Sequence, residues 1–288
     1  MRAMNSFEDF LHNQFEKLIS PDDKIILIYS GIWSFAPRLI QDFKIPVRDF
    51  PKQFLSSLES FLGQTRTLVI PTYSFGFPKS KQYDKLLTKS DVGILSQETI
   101  GRNSFFRTNQ AIYSYTIKGP HVEMLTSSLS TTAWGSDSIM GKFYQNDITV
   151  CTLGVPWEYS CSYIHSAEEL TRVPYRYFKR FTGIMMENNQ NQQPCQEVMY
   201  VRSLQIPADV DYTPATNAFE KEKLIRKSNN DRLPLQMMKA KALLDCTIQL
   251  LKKDPYAFVR NFDEVKHWEQ TGKIKEIASL SLEQRYDL

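Results

Sequence analysis

Three short, nearly unbroken apolar runs, each closed by a glycine or proline, set the narrowest limits on how this chain can fold. They are Lys24-Ile25-Ile26-Leu27-Ile28-Tyr29-Ser30 before Gly31, Arg66-Thr67-Leu68-Val69-Ile70-Pro71, and Thr149-Val150-Cys151-Thr152-Leu153 before Gly154. Each falls far below the roughly 18 residues that span a membrane. Their lack of polar alternation marks strands covered on both faces. Before the first run and again between the first two the period changes. Phe7 to Ile19 carries Phe7, Phe10, Leu11, Phe15 and Leu18 at helical intervals, and Asp49 to Leu62 does the same with Phe50, Phe54, Leu55, Leu58 and Phe61 before Gly63. Buried strands interleaved with amphipathic helices predict an α/β fold, a mainly parallel central sheet flanked by helices.

The remainder adds strands and helices in the C-terminal part. The polar stretch Glu187 to Pro194 reads as a surface loop joining two strands, because Val198 to Arg202 resumes a β pattern. Helical patterns cover about Leu235 to Lys252 and Tyr256 to Trp268, and the segments from about Phe219 onward are expected to pack on the body of the protein. With no repeat or low-complexity tract, residues 1–288 read as a single domain.

Charge and cysteine usage exclude several partners. A formal net charge of +3 without a dense basic run argues against nucleic acid. A polycationic ligand would be expected to meet an acidic field, so this balance suits an anionic ligand such as coenzyme A or a nucleotide-linked sugar. Cys151, Cys161, Cys195 and Cys246 lack paired spacing, and no histidine falls beside them at zinc-ligand intervals, so reduced buried thiols and no metal are expected. Cys161 stands four residues before His165, a spacing that leaves a lowered thiol pKa open. The N-terminus carries no signal-peptide pattern and no stretch reaches membrane-span length, which predicts a cytoplasmic protein.

Chemistry concentrates in Ser162-Tyr163-Ile164-His165-Ser166-Ala167-Glu168-Glu169. Ser162, His165 and Glu168 recur every three residues and share one helix face. A carboxylate that accepts a hydrogen bond from one imidazole nitrogen raises the basicity of the other. The same spacing also fits a surface histidine beside a solvated acid. The turn at Ser30-Gly31-Ile32 can present backbone N–H groups to a phosphate or an oxyanion, or serve simply as a turn. Thr72 and Ser74 carry hydroxyls at another strand end, where open α/β sheets bind ligands. His12, His121 and His267 read as surface or helix-start residues, and Trp33, Trp134 and Trp157 as packing more than pocket lining.

In order and spacing these segments resemble the aminoglycoside 3-N-acetyltransferase family and its sugar-modifying relatives. Tyr29-Ser30-Gly31 matches a His-Ser-Ser-like element, and Thr67-Leu68-Val69-Ile70-Pro71-Thr72-Tyr73-Ser74 a Thr-Leu-x-x-Pro-Thr-x-Thr element. Asp91 to Glu98 fits Asp-x-Gly-Ile-Leu-x-x-Glu, and Arg107-Thr108-Asn109-Gln110-Ala111 is an eroded Arg-Ser-x-His-Pro. Ser138 with Gly141-Lys142 fits Ser-Pro-x-Gly-Lys, and Ser162 to Glu168 fits Thr-x-x-His-x-x-Glu. The likeness runs from about Leu18 to Pro255.

The resemblance implies an acetyl-CoA-dependent N-acetyltransferase in which His165 is the general base and Glu168 its carboxylate partner. It implies that coenzyme A contacts Ser30, Thr72, Ser74, Thr108 and Ser138, with Arg107 organising that wall and Gly31 and Ile32 supplying backbone N–H groups. The acceptor it implies is a small amino sugar. A nucleotide-linked sugar of surface-polysaccharide assembly leads, with a free aminoglycoside as its rival; a non-catalytic CoA- or sugar-binding relative is the alternative of a different class. A homodimer is compatible with the sequence. Tyr29, Gly31, Gln110, Ala111 and Ile139 depart from the family pattern, so the acceptor side is where this chain is expected to differ.

Overall fold

The structure, a computed structural model, describes residues 6–159 and 161–274, with Cys161 described by its backbone alone. The thiol of Cys161 therefore lies outside the described residues. Among the described residues ten strands form two sheets: β1 Ile25–Ser30, β2 Thr67–Pro71, β3 Gln82–Asp84, β4 Phe106–Arg107, β5 Tyr115–Lys118, β6 Thr149–Leu153, β7 Arg176–Glu187, β8 Gln190–Arg202, β9 Arg226–Lys227 and β10 Leu235–Lys239. The large sheet has seven strands in the order β4-β5-β2-β1-β6-β10-β9.

The three apolar runs lie side by side at its centre. β1 pairs in parallel with β2 through Ile25↔Thr67 and Leu27↔Val69, and with β6 through Ile28↔Cys151 and Ser30↔Leu153. Their continuous hydrophobicity follows from two-sided burial. Ile25, Leu27 and Tyr29 enter one core, while Ile26 and Ile28 enter the other with Phe10, Phe15, Phe50 and Phe54 of the helices Phe7–Glu16 and Phe50–Leu62. The mainly parallel expectation holds for these three strands only: β2–β5, β4–β5, β6–β10 and β9–β10 are antiparallel.

Two segments differ most from the sequence expectation, and the helix expected over Tyr256 to Trp268 begins only at Phe262 and runs to Gln270. Leu235–Lys239, expected to begin a helix, is β10, and the helix starts at Ala240 and runs to Lys253. Leu, Met and Lys favour helix locally, but pairing with β6 overrides that weak preference. Most of the expected loop Glu187 to Pro194 belongs to a long hairpin, because β7 and β8 turn at Asn188 and Asn189, with φ of 53° and 57°. Asparagine tolerates this left-handed backbone, and the Asp84 carboxylate accepts from both of their N–H groups at 3.1 and 2.6 Å. The outer hairpin is solvent-exposed along β8, so it shows no apolar alternation to read.

A buried ionic cluster joins neighbouring strand ends at one end of the sheet. Asp23, wholly buried, accepts from Arg226 at 2.9 Å, meets Lys239 Nζ at 2.7 Å and accepts from the Thr149 hydroxyl. Burial alone would raise its pKa, yet Arg226, Lys239 and Thr149 hold it well below the usual carboxylate range. Among the described residues no helix is long and apolar enough to cross a membrane.

Candidate active site

At the opposite, C-terminal end of β6 the chain enters the helix Cys161–Thr171, which packs against the helix Ala240–Lys253. Tyr163, Ile164 and Ala167 anchor it in the core. That placement sets His165 and Glu168 on its neighbouring face, one nearly and one fully buried. His165 Nδ1 lies 2.7 Å from Glu168 Oε2. Tyr175 donates to Glu168 Oε1 at 2.9 Å, and the Arg176 guanidinium sits 2.9 Å from Oε2. Arg176 is held in turn by the Tyr200 carbonyl at 3.2 Å and the Tyr212 hydroxyl at 3.1 Å.

The charges sort themselves accordingly. Burial would push the Glu168 carboxyl up, but the adjacent Arg176, followed by His165 and Tyr175, holds it below its ordinary value. Burial lowers the His165 pKa first and Arg176 lowers it further, with Glu168 pulling part of the way back. At neutral pH this gives an ionised carboxylate and a neutral imidazole. Because the carboxylate only accepts, Nδ1 carries the proton and Nε2 keeps its lone pair. Among the described residues Nε2 makes no hydrogen bond, and 15% of the side chain remains exposed.

Aromatic rings surround the imidazole. Trp134 lies 5.0 Å and Tyr212 5.8 Å from it, ring centre to ring centre. Trp134 packs against Tyr113 at 4.9 Å, and Tyr113 against Tyr73 at 4.5 Å. The Tyr73 hydroxyl bonds Ser162 at 2.6 Å and Tyr115 at 2.9 Å. Burial keeps both phenols neutral. Tyr73 thereby links the His165 helix to a cavity of about 270 Å³ at the ends of β1 and β2, also lined by Tyr29, Ser30, Asp91 and Gly93. Gly93, at φ 81°, is needed there because a Cβ would come within 3.0 Å of the Ser30 carbonyl.

Of the residues expected to hold a cofactor, Ser30 lines this cavity. Thr72, Ser74, Arg107 and Thr108 are brought together, but as an internal network. Arg107 donates to the Thr72 carbonyl at 2.8 Å, the Ser74 hydroxyl at 3.2 Å and the Thr88 carbonyl at 2.7 Å, while Thr108 Oγ1 accepts from the Tyr115 N–H at 3.0 Å. All four are buried. Ser138 stands apart as the N-cap of the helix Ile139–Gln145, accepting from the N–H groups of Met140 and Gly141. The Gly31 N–H is taken by the Leu153 carbonyl at 2.8 Å, which removes it as an oxyanion donor, and Ile32 is buried. Trp134 and Trp157 are buried, whereas Trp33 is half exposed.

Two further carboxylates escaped the sequence reading. Glu169, four residues after His165, is 4% exposed and pushed up to about 7 by burial, with Asp137 adding to the rise. A Cβ on Gly135 would fall 3.1 Å from both Asp137 Oδ1 and Glu169 Oε1, so a glycine lets these acids converge beside Trp134. Glu197, fully buried in β8, accepts from the N–H groups of Ile112 at 2.6 Å and Tyr113 at 3.1 Å, and burial pushes it up to about 7. The bracing residues Tyr175 and Arg176 lie beyond the helix, where no short-range spacing points to them.

A neutral imidazole backed by an ionised carboxylate, linked through Ser162 and Tyr73 to a strand-end cavity of an α/β sheet, has the chemistry to accept a proton. The family model described as aminoglycoside 3-N-acetyltransferase matches residues 42–252, and the chain belongs to this family of N-acetyltransferases. Comparison with curated protein sequences yields no match.

Solved structures share the fold. A histidine-to-alanine variant of aminoglycoside acetyltransferase AAC(3)-IVa in complex with gentamicin is 17% identical, covers 94% of this chain and 99% of its own, and superposes with a TM-score of 0.70. AAC-IIIb, binary with CoASH, gives 16%, 88%, 97% and 0.69. YokD protein from Bacillus subtilis gives 15%, 86%, 100% and 0.67. The expectation of a nucleotide-linked acceptor gains no support, since the acceptors named with these structures are aminoglycosides. Glu169 and Asp137 converge beside Gly135, next to Trp134, and the buried Arg176 is already paired with Glu168.

Proposed function

We propose that this chain acetylates an amine of an aminoglycoside-type amino sugar with acetyl-CoA, and that His165 is the general base. The observation that carries the reading is the 2.7 Å contact between His165 Nδ1 and Glu168, braced by Tyr175 and Arg176, which leaves Nε2 as the basic nitrogen. An amine attacks a thioester only as its free base. As the nitrogen bonds to the thioester carbon, its proton passes to Nε2, and Glu168 stabilises the imidazolium that forms. Collapse of the tetrahedral intermediate breaks the carbon–sulfur bond, and the imidazolium proton neutralises the departing thiolate. No cysteine competes as a nucleophile among those described, because burial raises the thiol pKa of Cys151, Cys195 and Cys246.

In this reading Ser30 and Tyr73 face the thioester arm. Thr72, Ser74, Arg107, Thr108 and Ser138 act by shaping the wall, as their buried bonds suggest. Glu169 and Asp137 favour a cationic acceptor over an anionic one. The deciding assay follows release of free CoA thiol from acetyl-CoA with gentamicin, apramycin and a nucleotide-linked amino sugar. Turnover with an aminoglycoside is expected. Turnover with the nucleotide sugar alone overturns the acceptor, and binding of acetyl-CoA without turnover of any amine makes the protein a non-catalytic relative.

A further inference from the structure

A second, larger cavity of about 760 Å³ opens between the β7–β8 hairpin and the 126–131 loop and shares no residue with the strand-end cavity. None of the residues lining it is charged. Its polar groups are the carboxamides of Asn109, Gln110, Gln193 and Gln196 together with hydroxyls such as Thr131, and Phe106 contributes a ring that is 38% exposed. Gln110 is 6% exposed, and its side-chain oxygen finds no donor among the described residues. A buried acceptor left without a donor is costly unless a bound group supplies one.

The chemistry of this lining is selective. No Lys or Arg among the lining residues pairs with a phosphate and no carboxylate pairs with an ammonium group, although Lys85 Nζ stands 4.7 Å over the Phe106 ring. Carboxamides set a donor beside an acceptor, which suits neighbouring hydroxyls on an uncharged sugar ring, and an aromatic face packs against its C–H surface. The cavity also leads toward the base. Gln110 and Thr131 each stand three residues before a ring of the active site, Tyr113 and Trp134, and Trp134 packs on His165. Three residues span at most about 10 Å, a reach that a two-ring glycoside covers.

We propose that this groove is an acceptor subsite for an uncharged glycosyl unit, which it holds while the amine to be acetylated lies at His165. The role as an acceptor subsite rests on the acetyl-transfer reading above; the glycoside binding itself does not.

The test is a titration of the full-length, isotope-labelled protein with uncharged methyl glycosides of maltose, lactose and chitobiose, read at the side-chain amide signals of Asn109, Gln110, Gln193 and Gln196. At least one glycoside is expected to shift these signals saturably, with a Kd of about 1–10 mM. Gln196→Glu, equal in size and exposed, is expected to weaken that binding by roughly fivefold or more, and His165→Ala to leave it unchanged. The proposal is overturned if no glycoside saturates by about 50 mM, or if CoA alone moves the same four signals, which would make the groove part of the cofactor site. A protein that binds a glycoside but acetylates no amine keeps the groove and refutes the transfer reading; one that acetylates but ignores every glycoside does the reverse.

Discussion

Two buried carboxylates, Asp23 and Glu168, each hold a cationic cluster, but only one of the clusters includes an imidazole. Asp23 binds Arg226, Lys239 and Thr149 and ties the neighbouring ends of β6, β9 and β10 together, with no histidine in the cluster. Glu168 is equally well supplied, by Arg176, Tyr175 and His165, yet its histidine keeps a nitrogen without a partner among the described residues. A cluster of fixed cations stabilises a fold; one that ends in an imidazole with a nitrogen to spare can also carry chemistry.

Substitutions should separate the two. His165→Ala is expected to lower kcat by roughly 10²–10⁴-fold with acetyl-CoA affinity nearly unchanged, in steady-state kinetics paired with calorimetry. Asp23→Asn should have the reverse signature. It is expected to cost on the order of 3 kcal/mol in denaturant unfolding, the low end for a broken buried pair because Arg226 and Lys239 keep about a third of their surface in water. The kcat of its folded fraction should be parental. The same group predicts acid lability: with a depressed folded pKa, Asp23 contributes stability above its unfolded value of about 3.9 and loses it as pH falls toward the folded one.

Glu168→Gln keeps the shape of the site but removes the charge that stabilises the imidazolium, so kcat should fall less than in His165→Ala, by about 10–10²-fold. Smallest is Ser138→Ala. Its hydroxyl caps a helix, and the loss should be about 1 kcal/mol of stability with acetyl-CoA affinity unchanged in titration calorimetry. A large loss of affinity there would return Ser138 to the cofactor site.

What the sequence made legible follows the range of the forces involved. β1, β2 and β6 were readable because two-sided burial leaves an unbroken apolar run, and the His165–Glu168 pair because helical spacing is local. β10 was misread because Leu235, Met237 and Met238 suit a helix as well as a strand, and only pairing with β6 decides. The hydroxyls at Thr72 and Ser74 marked a strand end, but not which way they face. Tyr73 lines the cavity and its neighbours turn into the protein, an alternation that depends on register. Tyr175, Arg176 and Glu197 reach the site from the hairpin, and no spacing along the chain encodes that contact.

The most direct test is the pH dependence of kcat/KM for an aminoglycoside acceptor, measured for the parental protein and for His165→Ala. Burial and Arg176 lower the His165 pKa, so the parental profile should carry an acidic limb below the ordinary histidine value of about 6.5, where the base becomes protonated and the rate falls. In His165→Ala that limb should disappear, leaving only the rise with pH that reflects deprotonation of the acceptor amine itself. An acidic limb that persists unchanged without His165 would show that another group takes the proton, and would contradict the account.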